Sequence, residues 1–267
     1  MKAAILIATY NEAENIAPLL AKIFQVVGST PHSTTAVVID DDSPDGTGQI
    51  LDRLKESTYG ERLHVLHRKN QRGCGSARRM GFKYCLSLPI DCVIEMDGDG
   101  SHNPEYIPLF MEFCRYYDVV IGSRYVEGGA VAGWPLKRKL VSLVANTIYR
   151  LVLGSKIHDL SGGYKSYNRK VVETLPFDDF LSTGYSIGIE TLFRCYQSGF
   201  TFLEIPVLFH NRQYGYSKFS WKEAREALQI VFTLVGRYGR AIRLYDFEGK
   251  TTGEKRLPQT PAQKGQQ

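Results

Sequence analysis

Two carboxylates one residue apart, Asp97 and Asp99, stand at the end of the short apolar run 92–96, and Gly100-Ser101-His102-Asn103-Pro104-Glu105 follows them. In extended chain, side chains two residues apart point to the same side, so both carboxylates can face one point. Gly98 and Gly100 carry no Cβ and let other groups approach the backbone closely. Hard oxygen ligands with room for water and phosphate oxygens suit Mg²⁺ or Mn²⁺ carrying a diphosphate. Asp and Gly are equally the common residues of a surface turn, and the pair alone leaves both readings open.

Positioning such a pair falls to the surrounding elements. Residues 3–8 read as a strand that runs into Thr9-Tyr10-Asn11-Glu12, and residues 13–27 as a helix with Ile16, Leu19, Leu20, Ile23 and Phe24 on one stripe. A second strand, 35–40, ends in Asp40-Asp41-Asp42-Ser43-Pro44-Asp45, three successive carboxylates that need a positive or donor-rich neighbour. Asp45 or Thr47 can cap the next helix, over residues 48–56. A third strand, 63–67, leads into the basic, Gly-rich loop 68–77 and a helix to residue 88, on which Arg78, Arg79 and Lys83 suit a solvated face or a ligand contact equally. The fourth strand reaches Asp97, a helix runs from Pro104 to residue 116, and a fifth strand, 118–122, runs into Ser123-Arg124-Tyr125.

This alternation predicts an α/β fold with a mostly parallel central sheet and helices on both faces. Tyr10, Asp41, Asp97, Asp99 and Arg124 would then gather at one sheet edge, where open α/β sheets bind ligands. The second half is less regular. It reads as a Gly-rich loop 126–135, Lys137-Arg138-Lys139 opening a helix 140–153, a turn at 159–165 feeding a strand, and a helix 185–198 containing Glu190. A strand 201–208, a loop 210–218 and a final helix 221–243 complete it. The expectation is one catalytic domain over 1–243 and a disordered, polar tail over 244–267.

Composition narrows the function. With 267 residues, 43% hydrophobic and 23% charged, the chain resembles an ordinary soluble globular protein. Lys and Arg exceed Asp and Glu by 33 to 28, a mild excess that suits an anionic ligand or a membrane surface. No zinc-finger, RRM or basic-helix pattern points to nucleic acid. Five cysteines without metal-type spacing read as reduced thiols in a cytosolic setting. The first apolar run is too short for a signal peptide, and no run reaches the roughly 20 apolar residues of a spanning helix.

Taken together, these pieces resemble the glycosyltransferases of family 2 and, within them, the polyprenol-phosphate (dolichyl-phosphate) mannosyltransferases. The resemblance covers about residues 2–225 and rests on Ala-Thr-Tyr-Asn-Glu at 8–12, Asp-Asp-Asp-Ser-Pro-Asp-Gly-Thr at 40–47 and Met-Asp-Gly-Asp-Gly-Ser-His-Asn-Pro-Glu at 96–105. Ile-Gly-Ser-Arg-Tyr-Val-Glu-Gly-Gly at 121–129, Trp-Pro-Leu-Lys-Arg-Lys at 134–139, Ser-Gly-Gly-Tyr at 161–164 and Arg-Gln-Tyr-Gly-Tyr-Ser-Lys at 212–218 continue it. It implies a GT-A (nucleotide-diphospho-sugar transferase) fold, GDP-mannose as donor, a polyprenyl monophosphate as acceptor, inversion at the anomeric carbon and a divalent cation, Mg²⁺ or Mn²⁺.

By position, the resemblance gives Tyr10, Glu12, Ile39 and Asp41 to the guanosine, with Ala8 (where the family usually has Pro) alongside and Gly98 against the nucleotide sugar. Asp97 and Asp99 become metal-linked, and Ser101 falls where some relatives place a Gln ligand. Arg124, Arg138, Arg212, Ser217 and Lys218 match substrate contacts, mostly to phosphates, with Asp99, Arg124, Arg212 and Lys218 as the catalytic set. An acceptor phosphate is already anionic and needs no strong base. A sugar hydroxyl would need one, and Glu190 is the nearest candidate.

The lipid acceptor implies a peripheral enzyme on the cytoplasmic face of a membrane, resting there on helices 140–153 and 221–243 or on a membrane-anchoring subunit. Three alternatives share the scaffold: a UDP-glucose-dependent polyprenyl-phosphate glucosyltransferase, a family 2 transferase to a glycan hydroxyl, and a non-catalytic nucleotide-binding protein. A dehydrogenase is disfavoured, since no Gly-x-Gly-x-x-Gly follows the first strand.

Overall fold

The computed structural model describes residues 1–212 and 221–240; Ser217, Lys218, Arg243 and the tail 244–267 lie outside the described residues. Its first half follows the expected alternation: β1 (Lys2–Thr9), α1 (Ala13–Gly28), β2 (Ser33–Asp40), α2 (Thr47–Leu54), β3 (Leu63–His67), α3 (Cys74–Cys85), β4 (Cys92–Asp97), α4 (Ile107–Phe113) and β5 (Val119–Ser123). After these come β6 (Ala130–Val131), α5 (Leu136–Leu153), β7 (Lys165–Asn168), α6 (Arg169–Thr174), α7 (Ile187–Gln197), β8 (Phe202–Pro206), β9 (Leu208–Phe209) and α8 (Trp221–Tyr238).

Seven strands form one sheet in the order β3-β2-β1-β4-β7-β5-β8. The two-residue period of each strand divides its side chains between two apolar layers. Ala3, Ile5 and Ile7 of β1 pack with Ile16, Leu20 and Ile23 of α1 and with Ile107 and Phe110 of α4. Ala4 and Leu6 pack on the other face with Phe82 of α3, Val171 of α6, Leu192 of α7 and Val231 of α8. Each such side chain taken fully out of water contributes about 1.5–3 kcal/mol before entropy, which is why the helices must cover both faces.

β7 is antiparallel to both neighbours and lies between β4 and β5, so the two parallel blocks do not touch there. The expected strand 201–208 divides in two. Pro206 offers no N–H to continue a ladder, and Leu208–Phe209 pairs with β6 in a second small sheet. α5 starts four residues earlier than expected, directly after Pro135, which places Arg138 in its first turn. Among the described residues, no helix is long and apolar enough to cross a membrane.

Candidate active site

The C-terminal ends of β1, β2 and β4 open on a cleft of about 400 Å³, lined by Ala8, Tyr10, Glu12, Asp41, Asp97, Gly98, Asp99 and Arg212 among others. Parallel strands present their C-terminal loops on one edge, and late segments of the chain, Arg212 and Glu226 among them, close the cleft from the side. Ile39 is the exception among the expected donor contacts. Its side chain is fully buried in the core beneath the sheet, and its carbonyl accepts from Thr9 Oγ1 at 3.2 Å.

At one end, Arg72 lies over the Tyr10 ring, 4.6 Å from its centroid, making a flat cationic platform. Asn11 turns the chain in the left-handed region, φ +56°, which Asn tolerates better than most residues. That turn leaves Tyr10 and Glu12, on either side of it, both lining the cleft. The run of three acids after β2 is resolved by local donors. Asp40 accepts from Ser43 N (3.3 Å) and Ser43 Oγ (2.5 Å). Asp41 accepts from Gly73 N at 2.9 Å and faces Arg68 at 3.3 Å. Burial nevertheless raises the Asp41 carboxyl above its ordinary value, despite that hydrogen bond and Arg68.

Asp97 and Asp99 reach the cleft by different supports. Arg78, a buried residue of α3, bridges Glu95 (2.9 Å) and Asp97 (2.8 Å), so it is a buried strut and no part of a solvated face. Asp97 N donates to His102 Nδ1 at 3.0 Å, and that imidazole stacks on Tyr164 with centroids 4.8 Å apart. A Cβ on Gly163 would stand 3.1 Å from Asp97 Oδ1, so glycine there lets the loop before β7 close on the carboxylate. Burial would raise Asp97, but His102, Arg78, Arg212 and Lys165 around it hold it below the usual carboxylate range. Burial also lowers His102 from its ordinary value, opposed by the Asp97 and Asp99 charges.

Asp99 accepts at Oδ1 from Ser101 N (3.0 Å) and Ser101 Oγ (2.6 Å). Its Oδ2 pairs with Arg212 Nη2 at 3.0 Å. Ser101, expected beside the metal, thus orients Asp99 through its buried hydroxyl.

Arg124 and Arg138 do not line this cleft; Arg124 is held flat by Asp159, which accepts from its backbone N (3.0 Å), Nε (2.7 Å) and Nη2 (2.7 Å). Ser161 Oγ accepts a further bond at 2.9 Å. Burial would lower this guanidinium, and Asp159 more than reverses that. Trp134 stands between two arginines, its ring centroid 5.6 Å from Arg124 and 3.9 Å from Arg138. Arg138 is lowered by burial and then by the Arg212 and Arg124 charges. Arg212 sits on Asp99, and Arg138 and Arg124 share the Trp134 ring and feel each other's charge and that of Arg212, a concentration of positive charge that suits a phosphate.

The remaining wall was not legible in the sequence. Thr183, Gly184, Tyr185, Glu223 and Glu226 line the cleft opposite Asp41 and Asp97. Glu226 Oε1 accepts from Gly184 N and Ser186 Oγ, both at 3.1 Å, which ties α8 to this loop. Glu190 holds the loop from behind. It is 0% exposed and accepts from Leu181 N (3.0 Å), Ser182 N (2.8 Å), Ser182 Oγ (2.7 Å) and Arg194 Nε (2.9 Å). A carboxylate so engaged is a structural anchor. The roles of Asp159 and Glu190 as anchors escape sequence reading, because each takes its role from partners and burial that only the fold supplies.

Comparison with known protein families matches residues 4–175 to Glycosyl transferase family 2. The chain belongs to that family. A polyprenol monophosphomannose synthase of Mycolicibacterium smegmatis is 40% identical over 243 residues, covering 89% of this chain and 89% of its own. An undecaprenyl-phosphate mannosyltransferase of Micrococcus luteus is 36% identical over 243 residues, covering 91% and 96%. Glucosyl-3-phosphoglycerate synthase of Mycobacterium tuberculosis, in a crystal structure with Mn²⁺, uridine-diphosphate and glucosyl-3-phosphoglycerate, superposes with TM-score 0.63 at 18% identity over 90% of this chain and 80% of its own. The same enzyme with phosphoglyceric acid gives TM-score 0.64 at 17% identity, over 88% and 80%. These likenesses show a GT-A fold, and this family 2 protein is a glycosyltransferase.

A family 2 site of this kind implies a divalent cation. Among the described residues no group of three or more His, Cys, Asp and Glu could hold a metal. Asp97 and Asp99 with open space before them instead fit an ion that completes its shell with water and a nucleotide's phosphates, the usual habit of Mg²⁺.

Proposed function

We propose that this glycosyltransferase moves mannose from GDP-mannose to the phosphate of a polyprenyl (dolichyl-type) monophosphate, with inversion at the anomeric carbon. The observation that carries the reading is the pairing of Arg212 with Asp99, with Arg138 and Arg124 gathered on Trp134 within reach of each other's charge, which suits an anionic acceptor beside the donor diphosphate. The two mannosyltransferases named for polyprenol and undecaprenyl phosphate, alike over nearly the whole chain, support it independently.

Tyr10, Glu12 and Asp41 bind the nucleoside end, and Asp97, Gly98 and Asp99 face the diphosphate. A cation held by Asp97 and Asp99, Mg²⁺ or Mn²⁺, supplies positive charge to the departing diphosphate. Arg124 and Arg138 draw in the acceptor phosphate and orient one of its oxygens toward the anomeric carbon. That oxygen forms the new C1–O bond as the bond from C1 to the diphosphate breaks, and GDP leaves with the electron pair. Arg212 passes from Asp99 to the phosphates as charge develops. Ser217 and Lys218 belong to this reading by resemblance. No proton need be removed from the acceptor, and Glu190, already fully engaged, is not asked to remove one.

The acceptor's phosphate lies at a bilayer surface, so the enzyme works peripherally on the cytoplasmic face. α5 exposes Leu136, Leu140, Val141, Leu143, Val144 and Leu151, and α8 exposes Phe232. Arg240 donates to the carbonyls of Leu151 and Val152, tying the two helices together. Lys137 and Lys139 flank the apolar face, the pattern of a helix lying in an anionic interface. Flotation with anionic vesicles tests direct contact; protein left at the bottom of the gradient points instead to a membrane-anchoring subunit.

The deciding experiment is radiolabel transfer to polyprenyl phosphate. Label from GDP-mannose in a chloroform-soluble product is expected. Label from UDP-glucose instead overturns the donor, and label only in a water-soluble glycan overturns the acceptor.

A further inference from the structure

The two arginines given to the acceptor phosphate have very different anchors. Arg124 is fixed by Asp159 and Ser161. Arg138 stands in the first turn of α5, and among the described residues no hydrogen bond or ion pair holds its guanidinium. What it touches is an aromatic face: its Cζ lies 3.9 Å from the centroid of the Trp134 ring. Arg124 Cζ lies 5.6 Å from the same centroid. Like charges gathered at one ring repel each other. The negative face of an indole attracts cations more strongly than any other aromatic side chain does, and so offsets that repulsion. The indole N–H, by contrast, is unused. Nε1 is buried and, among the described residues, has no acceptor. A buried donor left unpaired costs free energy, which Phe would avoid, so the site gains from Trp134 through its ring face.

That ring is itself held in place. Phe209 of β9 meets it edge-on, with centroids 5.3 Å apart, and β9 pairs with β6 just before Trp134. Ala132 N donates to the Phe209 carbonyl at 2.8 Å, and Asn211 N to the Ala132 carbonyl at 3.2 Å. Gly133 turns the chain at φ +74°, where a Cβ would stand 3.0 Å from that of Asn211. The same segment reaches the donor side. His210 N donates to the Ser101 carbonyl at 3.2 Å, and Phe209 packs edge-on against His102 with centroids 5.5 Å apart. Trp134 therefore stands on a small sheet whose second strand leads on to Arg212.

We propose that Trp134 is a positioning residue for the acceptor: its ring face holds Arg138 at a fixed spacing from Arg124, so that both guanidiniums meet one phosphate monoester. The inference rests on the reading of these arginines as the acceptor's contacts. An indole kept only for packing or for contact with lipid would make no difference to a phosphate presented in water.

The test uses a short, water-soluble isoprenyl monophosphate without vesicles. It is read by calorimetric affinity in the presence of GDP and Mn²⁺, and by the KM for each substrate in transfer. Trp134→Leu is expected to weaken isoprenyl phosphate binding and raise its KM by about tenfold, within the range of one desolvated cation–π contact, with the KM for GDP-mannose held. Trp134→Phe keeps a weaker π-face and is expected to lose about threefold. Because the ring acts through Arg138, Trp134→Leu combined with Arg138→Ala should bind no more weakly than Arg138→Ala alone. Unchanged affinity in Trp134→Leu overturns the proposal. So do losses that multiply in the double variant, or a KM for GDP-mannose that rises as far as that for the acceptor. Should Trp134→Leu fail to fold, Trp134→Phe decides, and wild-type affinity there overturns the proposal. A wild type that binds isoprenyl phosphate yet takes no mannose from GDP-mannose refutes the donor reading alone; the affinities still decide the role of Trp134. A wild type that binds no isoprenyl phosphate removes both.

Discussion

Glu190 separates transfer to a phosphate from transfer to a hydroxyl, and Glu190→Gln makes the distinction measurable. The carboxylate accepts four bonds, from Leu181 N, Ser182 N, Ser182 Oγ and Arg194 Nε. An amide keeps one acceptor oxygen and turns an NH₂ group toward donors of which only the Ser182 hydroxyl can also accept. It also leaves the Arg194 guanidinium, now without its 2.8 Å ion-pair partner, in a largely buried place. Breaking a buried pair from one side costs about 3–5 kcal/mol. At roughly 2–4 °C of melting temperature per kcal/mol for a chain of this size, the variant should melt roughly 6–20 °C below wild type. The assay pairs a thermal melt with label transfer at a temperature where the variant stays folded. A structural anchor predicts a large fall in melting temperature with kcat within about threefold of wild type, well under the factor of about 10²–10⁴ that a general base contributes. An unchanged melting temperature with kcat down a hundredfold would refute the reasoning and make Glu190 the base.

Further outcomes follow from the same geometry. Asp99→Asn is expected to cut kcat/KM by about a hundredfold or more, and chelator to do the same to the wild type, because both take the cation's positive charge away from the departing diphosphate; full turnover in chelator sinks the cation's role. Ser101→Ala should weaken Mn²⁺–GDP binding by about tenfold through loss of orientation at Asp99, while a complete loss of binding would restore Ser101 as a ligand. Arg138→Ala should raise KM for polyprenyl phosphate by about tenfold, the value of one charge-assisted bond, leaving the KM for GDP-mannose unchanged. The last concerns pH. Lys165 titrates near 8 in the folded chain against 10.5 for an ordinary lysine. Between those values the unfolded chain binds more protons, so this group makes stability rise with pH, by about 3 kcal/mol across the window. Denaturant unfolding of wild type and Lys165→Met at pH 7.5 and 10 should show wild type gaining on the variant, and parallel curves would deny the burial cost.

Much of this was written in the chain's local order. Strand–helix alternation with short loops dictates a mostly parallel sheet, and parallel strands put Tyr10, Asp41, Asp97 and Asp99 on one edge without further information. Local pattern also delimits β1, α1 and β3 closely, since an apolar run or stripe bounded by polar residues has one way to bury itself. What the chain order could not express is pairing across distance. Nothing near Lys165 says that its strand lies antiparallel between β4 and β5, because insertion of a strand is a property of the whole sheet. Arg78 reads equally as a solvated charge or a ligand contact until α3 is laid over β4, where Glu95 and Asp97 claim it. Ile39 and Ser101 are named by the family resemblance alone, and only the fold shows that one side chain enters the core and the other bonds Asp99. Sequence thus chose the chemistry, through residue types placed at strand ends. Tertiary structure chose which charges meet and which are sealed from water, since only burial makes an ion pair, or an unpaired lysine, matter.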